Sequence, residues 1–163
     1  MSTLAYASLT TRREEAAPNT SRDQSPPGVS TYVDALAALV PAEVLTLHAV
    51  ILTFTTKTDA GATSITDKET LAYAFYGLIA LAVLLYVVGR LIAKKWDRLD
   101  YLRVIIPPLA FVGWTMLQRA TAFDAVAPSN LREAGRMVIA LFLGVLLGLL
   151  AAGLAYKADQ KEP

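Results

Sequence analysis

The stretch Thr70–Gly89 reads TLAYAFYGLIALAVLLYVVG, and none of its 20 residues is charged. At a rise of about 1.5 Å per residue, a helix of this length measures about 30 Å, which matches the hydrocarbon thickness of a bilayer. Thr66 and Glu69 stand just before it with the spacing of a capping box. A second uncharged run of equal length, MVIALFLGVLLGLLAAGLAY, occupies Met137–Tyr156. We predict that both runs are transmembrane helices.

The composition of the whole chain agrees with a protein of the bilayer. Of its 163 residues, 55% are hydrophobic and 18% are charged, whereas soluble domains carry about a quarter charged residues. The net charge of +1 gives no reason to expect a nucleic acid partner. The chain contains no cysteine, which excludes disulfides and thiolate chemistry. We expect one domain that is surrounded by lipid.

Two less regular apolar segments complete a predicted set of four spans. Ala35–Thr56 is interrupted by Glu43, and Val104–Phe123 is interrupted by Arg119. A charge at the bilayer centre costs roughly 2.5–3.5 kcal/mol, which the apolar neighbours can offset once in each segment. The sequence therefore predicts an all-α integral membrane protein with four transmembrane helices, arranged as two tandem helical hairpins. The competing prediction has three spans, with the third segment lying on the membrane surface.

The predicted boundaries divide the chain into three parts. Residues 1–31 are rich in Ser, Thr, Pro and charge, and we expect them to form a disordered cytoplasmic tail. Residues 32–158 hold the four-helix transmembrane domain, and residues 159–163 form a short cytoplasmic tail. The predicted spans cover residues 35–57, 70–91, 104–124 and 136–156.

The basic residues predict how the chain is oriented. With four spans and the N-terminus inside, ten of the 15 lysines and arginines lie on the inner side, and the short loop Arg90–Arg103 supplies five of them. Cytoplasmic loops carry an excess of Lys and Arg. The sequence therefore predicts a multi-pass protein of the cell membrane, with both termini and this loop in the cytoplasm.

Pro41 and Pro107 end two similar segments, Asp34–Pro41 and Asp100–Pro107, which share the pattern D-x-L-x-x-[LI]-[VI]-P. Proline is tolerated at the first position of a helix, but it breaks or bends a helix interior. The two prolines therefore mark where spanning helices begin or bend. A kink at each proline is favoured over one straight helix.

Glu43, His48, Gln118 and Arg119 are the candidate polar residues inside the membrane. If one helix runs straight through Pro41, Glu43 lies near the bilayer centre, where an ionisable group is a functional candidate. If the span begins at Pro41, Glu43 lies in the first turn, where its charge favours the helix N-terminus. The second interpretation is preferred. His48, the single histidine, is expected to form a helix-to-helix hydrogen bond, and a proton acceptor or gate is the alternative.

Arg119 also has more than one interpretation. The favoured one is that its long side chain reaches the outer headgroups. It can instead pair with a carboxylate of the following region, such as Asp124 or Glu133, or line a pore.

A strip of small residues runs along the last predicted span. Its members recur every four residues and are Ala140, Gly144, Gly148 and Ala152. Small residues at this spacing let helix backbones approach closely in lipid. The strip predicts helix packing, either within the bundle or between copies of the chain.

No catalytic motif, metal-ligand cluster or cofactor-binding pattern is present in the sequence. The leading hypothesis is a non-enzymatic membrane anchor or assembly subunit, which associates with itself or with another membrane protein through helix packing. One alternative is an oligomeric pore or ion channel, with Glu43, His48 and Arg119 lining its lumen. A further alternative is a small proton-coupled transporter.

Overall fold

The computed structural model describes residues 29–59, 62–94, 96–128 and 131–159, which form seven helices and one β hairpin. Both predicted tails lie largely outside the described residues. The elements in chain order are α1 Val29–Leu39, α2 Ala42–Thr55, β1 Thr56–Asp59, β2 Ala62–Ile65, α3 Lys68–Ile92, α4 Asp100–Arg103, α5 Ile106–Leu117, α6 Ala122–Val126 and α7 Glu133–Asp159.

Helices α3 and α7 are long and apolar enough to cross a membrane, and they coincide with the two uncharged runs. A third candidate is the bent pair Val33–Leu39 and Ala42–Thr55, whose axes turn by 115° at the break. By length and composition, the described residues therefore give two spans, or three if the bent pair counts as one. Four uninterrupted spans are not shown.

The first predicted span is divided at Pro41. This residue has φ −57° and ψ 134°, an extended conformation outside the helical region, and α2 begins after it at Ala42. Proline lacks an amide hydrogen and clashes with the preceding turn, so one straight helix through residues 35–57 is wrong. The favoured kink is a sharp reversal between two helices.

The third predicted span is also interrupted. Helix α5 ends at Leu117, because Gln118 takes an extended conformation and Ala120 has a positive φ of 53°. Arg119 therefore lies in a loop and not in a helix interior. Helix α5 begins at Ile106, with Pro107 close to its start, and most of its residues are buried. It is an internal helix of the bundle.

The β hairpin sets α2 and α3 antiparallel. Strands β1 and β2 pair from Thr56 with Ile65 to Asp59 with Ala62. The Thr66 amide donates to the Thr55 carbonyl at 2.9 Å, which closes the base of the hairpin. Asp67 then caps α3 by accepting from the Thr70 amide at 3.0 Å. Hydrogen bonds from the side chain and the amide of Thr70 lower the pKa of Asp67. The predicted cap at Thr66 is wrong by one residue.

Helix α2 runs beside only part of α3. Its 14 residues measure about 21 Å, whereas the 25 residues of α3 measure about 37 Å. Because the hairpin aligns the end of α2 with the start of α3, the first turn of α2 lies level with the middle of α3.

Helix α1 packs across α5 and α7 through Leu36, which is fully buried. Two glycines form the notch that receives this side chain. A Cβ atom on Gly113 would lie 3.2 Å from Leu143 Cδ2 and 3.3 Å from Leu36 Cδ1, and one on Gly144 would lie 3.5 Å from Leu36 Cγ. The missing side chain of Gly113 therefore allows the close approach of Leu36, whereas a Cβ atom on Gly144 would make only an ordinary van der Waals contact.

Candidate functional site

His48 is buried between α2, α5 and α6. The Ala122 amide donates a hydrogen bond to His48 Nε2 over 3.3 Å. The imidazole also makes edge contacts with Phe111 and Trp114, at ring distances of 5.6 and 5.4 Å. An accepting Nε2 requires the neutral imidazole to carry its proton on Nδ1, which has no hydrogen-bond partner among the described residues. His48 thus joins two segments through a backbone amide.

Glu43 lies in the first turn of α2 and is exposed. The first turn of α2 is level with the middle of α3, so the Glu43 carboxylate lies at the height of the apolar central part of that helix.

Arg136 and Asp124 form an ion pair near the start of α7. Arg136 is only 7% exposed, and its Nη2 also donates to the Gln118 carbonyl at 2.9 Å. Asp124 accepts in addition from the Thr121 amide at 2.9 Å, as the second half of a capping box on α6. The Thr121 hydroxyl donates to the Thr115 carbonyl at 2.8 Å. These bonds satisfy the backbone where α5 stops and fix α6 against α7.

Arg119 and Glu133 form a second ion pair at the same end, with Nη2 and Oε1 separated by 2.7 Å. Their side chains are 81% and 49% exposed, so solvent screens the pair and it stabilises the fold by about 0–1 kcal/mol. Arg119 therefore has a carboxylate partner in the following region, which was one of its predicted alternatives.

An open cleft of about 350 Å³ lies between the two ion pairs. Its lining consists of Arg119, Asp124, Ala127, Leu131, Glu133 and Arg136. Two basic and two acidic groups give the lining no net charge. The described residues hold no group of three or more His, Asp or Glu side chains that is placed to bind a metal ion.

A cluster around Asp100 fixes the other end of the bundle. Asp100 is fully buried, and Arg90 donates to its Oδ2 from Nε and Nη2 at 3.0 and 2.8 Å. The Tyr86 hydroxyl donates to Oδ1 at 2.7 Å, and the Asp97 amide donates to Oδ2 at 2.7 Å. Arg103 contacts Oδ1 at 3.3 Å and donates to the Leu154 carbonyl at 3.0 Å. One carboxylate thus connects α3, α4 and, through Arg103, α7.

Burial alone would raise the pKa of Asp100. The hydrogen bonds from Arg90, from the Asp97 amide and from Tyr86 outweigh this effect and lower its pKa to about 2. The group is therefore a permanent anion at neutral pH, and it holds two cations in place.

The small-residue strip of α7 is used over only half of its length. Ala140 is buried, and Gly144 faces Leu36. A Cβ atom on Gly148 would have no described atom within 4 Å, and Ala152 is exposed. The first two positions pack within the chain, and the last two leave an open surface.

Neither the Asp100 cluster nor the Asp124–Arg136 pair was predicted from the sequence. A partial signal exists for the first, because Tyr86 and Arg90 are four residues apart and share one face of α3. The common partner of Tyr86 and Arg90 is Asp100. It follows α3 after a turn whose geometry the sequence does not specify.

Comparison of the chain with protein-family models, with curated proteins and with solved structures finds no match.

Proposed function

We propose that this chain is a non-enzymatic multi-pass membrane protein that serves as a membrane anchor or assembly subunit. The observation that carries this proposal is the outward face of α7, which is apolar and exposed over several turns. Its large side chains are Val138, Ile139, Phe142, Val145, Leu146, Leu149 and Leu150. An apolar face of this length requires lipid or another apolar protein surface around it.

Two polar contacts, one near each end of α7, support an estimate of the thickness of the membrane layer. Arg136 contacts Gln118 at one level, and Arg103 contacts Leu154 at the other. Between Arg136 and Leu154, α7 rises by about 27 Å, close to the thickness of the hydrocarbon core. In the proposed arrangement α3 and α7 cross this layer, and the segment from Arg103 to Gln118, which contains α5, crosses it as well. Helix α2 is a fourth segment that reaches only its middle.

Charge supports an orientation for this arrangement. Residues 90–103 contain five basic and two acidic side chains, whereas the hairpin and cleft end carries basic and acidic side chains in equal number. The positive-inside rule therefore favours a cytoplasmic position for the loop between α3 and α5 and for the C-terminus. Because the axes of α1 and α2 turn by 115°, α1 leads back towards the hairpin side. The N-terminal end of α1 therefore points towards the outer side in this arrangement.

The open half of the small-residue strip provides a contact surface for assembly. Gly148 and Ala152 lie about 40° apart on α7, and Leu146 lies on the opposite face. Since the chain contains no cysteine, single-cysteine variants report proximity without background.

The test is oxidative cross-linking of Gly148→Cys and Ala152→Cys in native membranes, with Leu146→Cys as the matched control. We expect the first two variants to form a covalent product, with a second copy or with another membrane protein, and we expect the control to remain monomeric. Cross-linking of Leu146→Cys at the same rate, or the absence of a product from every variant, would contradict assembly through this strip.

Glu43 favours a second candidate function, an oligomeric pore. A carboxylate exposed to lipid near the centre of the layer costs roughly 2.5–3.5 kcal/mol, and a water-filled lumen between copies would remove this cost. His48 supports the pore less, because it is buried among aromatic rings. Arg119 lies at the end of the bundle and pairs with Glu133. Conductance in planar bilayers that changes with Glu43→Gln would favour this function, and silent bilayers at every pH would exclude it.

A further inference from the structure

The segment between α3 and α5 exposes apolar and basic side chains side by side. Trp96, Tyr101, Leu102 and Ile105 are all exposed, and the rings of Trp96 and Tyr101 meet edge to face at 5.6 Å. Lys94 and Arg98 are exposed in the same segment. Aromatic rings beside basic residues are typical of protein surfaces that lie at the headgroup level of a membrane.

The Asp100 cluster holds this segment against the bundle and leaves it positively charged. Arg90 and Arg103 share the single Asp100 carboxylate, so one positive charge is not balanced within the cluster. Their side chains retain 23% and 20% exposure, so the excess charge reaches the surface. Because Asp100 is fully buried and bonded on both oxygens, the segment has a fixed shape.

We propose that this surface binds the phosphate group of an anionic phospholipid in the adjacent leaflet. Lys94 and Arg98 supply the positive charge, and Trp96 and Tyr101 lie beside the glycerol region. The apolar residues Leu102 and Ile105 are exposed in the same segment as the two basic residues, which suits a ligand that carries acyl chains as well as phosphate. This inference rests on the proposed membrane insertion.

The expected preference follows from the charges. A lysine or arginine near an anionic membrane surface strengthens association about fivefold. Removal of both Lys94 and Arg98 is therefore expected to reduce the preference for anionic over zwitterionic lipid by about 25-fold. Neither side chain takes part in the Asp100 cluster, so the fold should be unaffected.

The chain contains two tryptophans, and Trp114→Phe leaves Trp96 as a local reporter. The full chain carrying this substitution is reconstituted in phosphatidylcholine nanodiscs with small amounts of brominated lipid. We expect brominated phosphatidylglycerol to quench Trp96 at lower mole fractions than brominated phosphatidylcholine. Lys94→Gln with Arg98→Gln should abolish this difference. The control pair Lys57→Gln with Lys68→Gln, at the opposite end, should retain it.

Equal quenching by the two lipids, or a preference that survives loss of Lys94 and Arg98, would overturn the inference. Relief of quenching by millimolar glycerol phosphate would assign the site to soluble phosphates instead, and it would also overturn the lipid proposal. If Trp114→Phe does not fold, native mass spectrometry of the unsubstituted chain and of the Lys94/Arg98 variant counts the retained phosphatidylglycerol molecules. A chain that fails to float with pure phosphatidylcholine vesicles would contradict membrane insertion itself, so the two failures are distinguishable.

Discussion

Asp100→Asn tests whether the buried carboxylate connects the helices at the basic end. Asparagine keeps the shape but offers one acceptor oxygen in place of two. If that oxygen continues to serve Arg90 and the Asp97 amide, its amide group meets the donors of Tyr86 and Arg103. Removal of one partner from a buried ion pair costs about 3–5 kcal/mol, and the partial exposure of the two arginines reduces this to about 2–4 kcal/mol.

The pH dependence of folding gives a second value for the free energy that the Asp100 carboxylate contributes to stability. The pKa of Asp100 is about 2 in the folded protein, below its ordinary value of 3.8. Because the folded-state pKa is depressed, the stabilisation is present above pH 4 and is lost as the pH falls towards 2. At 1.36 kcal/mol per pKa unit, it amounts to about 2 kcal/mol.

The assay is unfolding in mixed micelles with increasing dodecyl sulfate, followed by circular dichroism. Asp59→Asn, an exposed site in the hairpin, is the matched control, and its free energy of unfolding should change by less than about 0.5 kcal/mol. Asp100→Asn should also lose the dependence on pH between 4 and 2. If the two variants unfold alike, the cluster does not hold the helices together as described.

Three further predictions concern the other contacts, and the same unfolding assay checks them. Gly113→Ala places a methyl group 3.2 Å from Leu143 and should be less stable than Gly148→Ala, which meets no described atom, by about 1–3 kcal/mol; equal stability would refute the notch between α5 and α7. His48→Phe keeps an aromatic ring but leaves the Ala122 amide without its acceptor, so we expect a loss of about 1–3 kcal/mol; unchanged stability would show that this hydrogen bond contributes nothing. Arg136→Gln should cost about 2–4 kcal/mol, whereas Arg119→Gln should cost less than about 1 kcal/mol, because only the first pair is buried; the reverse order would contradict the assigned roles of the two pairs.

The two uncharged runs could be predicted from the sequence because their composition decides their structure. Within lipid, a segment of 20 apolar residues satisfies its backbone hydrogen bonds as a helix whatever its neighbours do. Helices α3 and α7 accordingly lie where the sequence placed them.

The two interrupted segments depend on contacts that are distant in the chain. The 115° turn at Pro41 is accompanied by the packing of Leu36 against Gly113 and Gly144, and neither glycine lies near it in sequence. The end of α5 at Leu117 is stabilised by Arg136, which donates a hydrogen bond to the Gln118 carbonyl from 18 residues further along the chain. Proline and the nearby charges indicate where a helix can stop, but not how the chain continues.

Glu43 shows that a local prediction does not fix the position of a residue along the bundle. Its place in the first turn of α2 follows from Pro41, and the structure has it there. Its level in the bundle depends instead on the length of α2 relative to α3, which follows from the hairpin and from the break at Pro41. The sequence alone therefore places Glu43 in its helix but does not give its level beside α3.

The central claim is that the β hairpin and the α3–α5 loop lie on opposite sides of a membrane. The most direct measurement is labelling of single-cysteine variants with a membrane-impermeant maleimide in intact cells and after permeabilisation. Ser64→Cys in the hairpin should react in intact cells, Arg98→Cys should react only after permeabilisation, and Ala80→Cys in the exposed middle of α3 should react in neither state. Equal reaction of Ser64→Cys and Arg98→Cys in intact cells, or ready reaction of Ala80→Cys, would contradict the account.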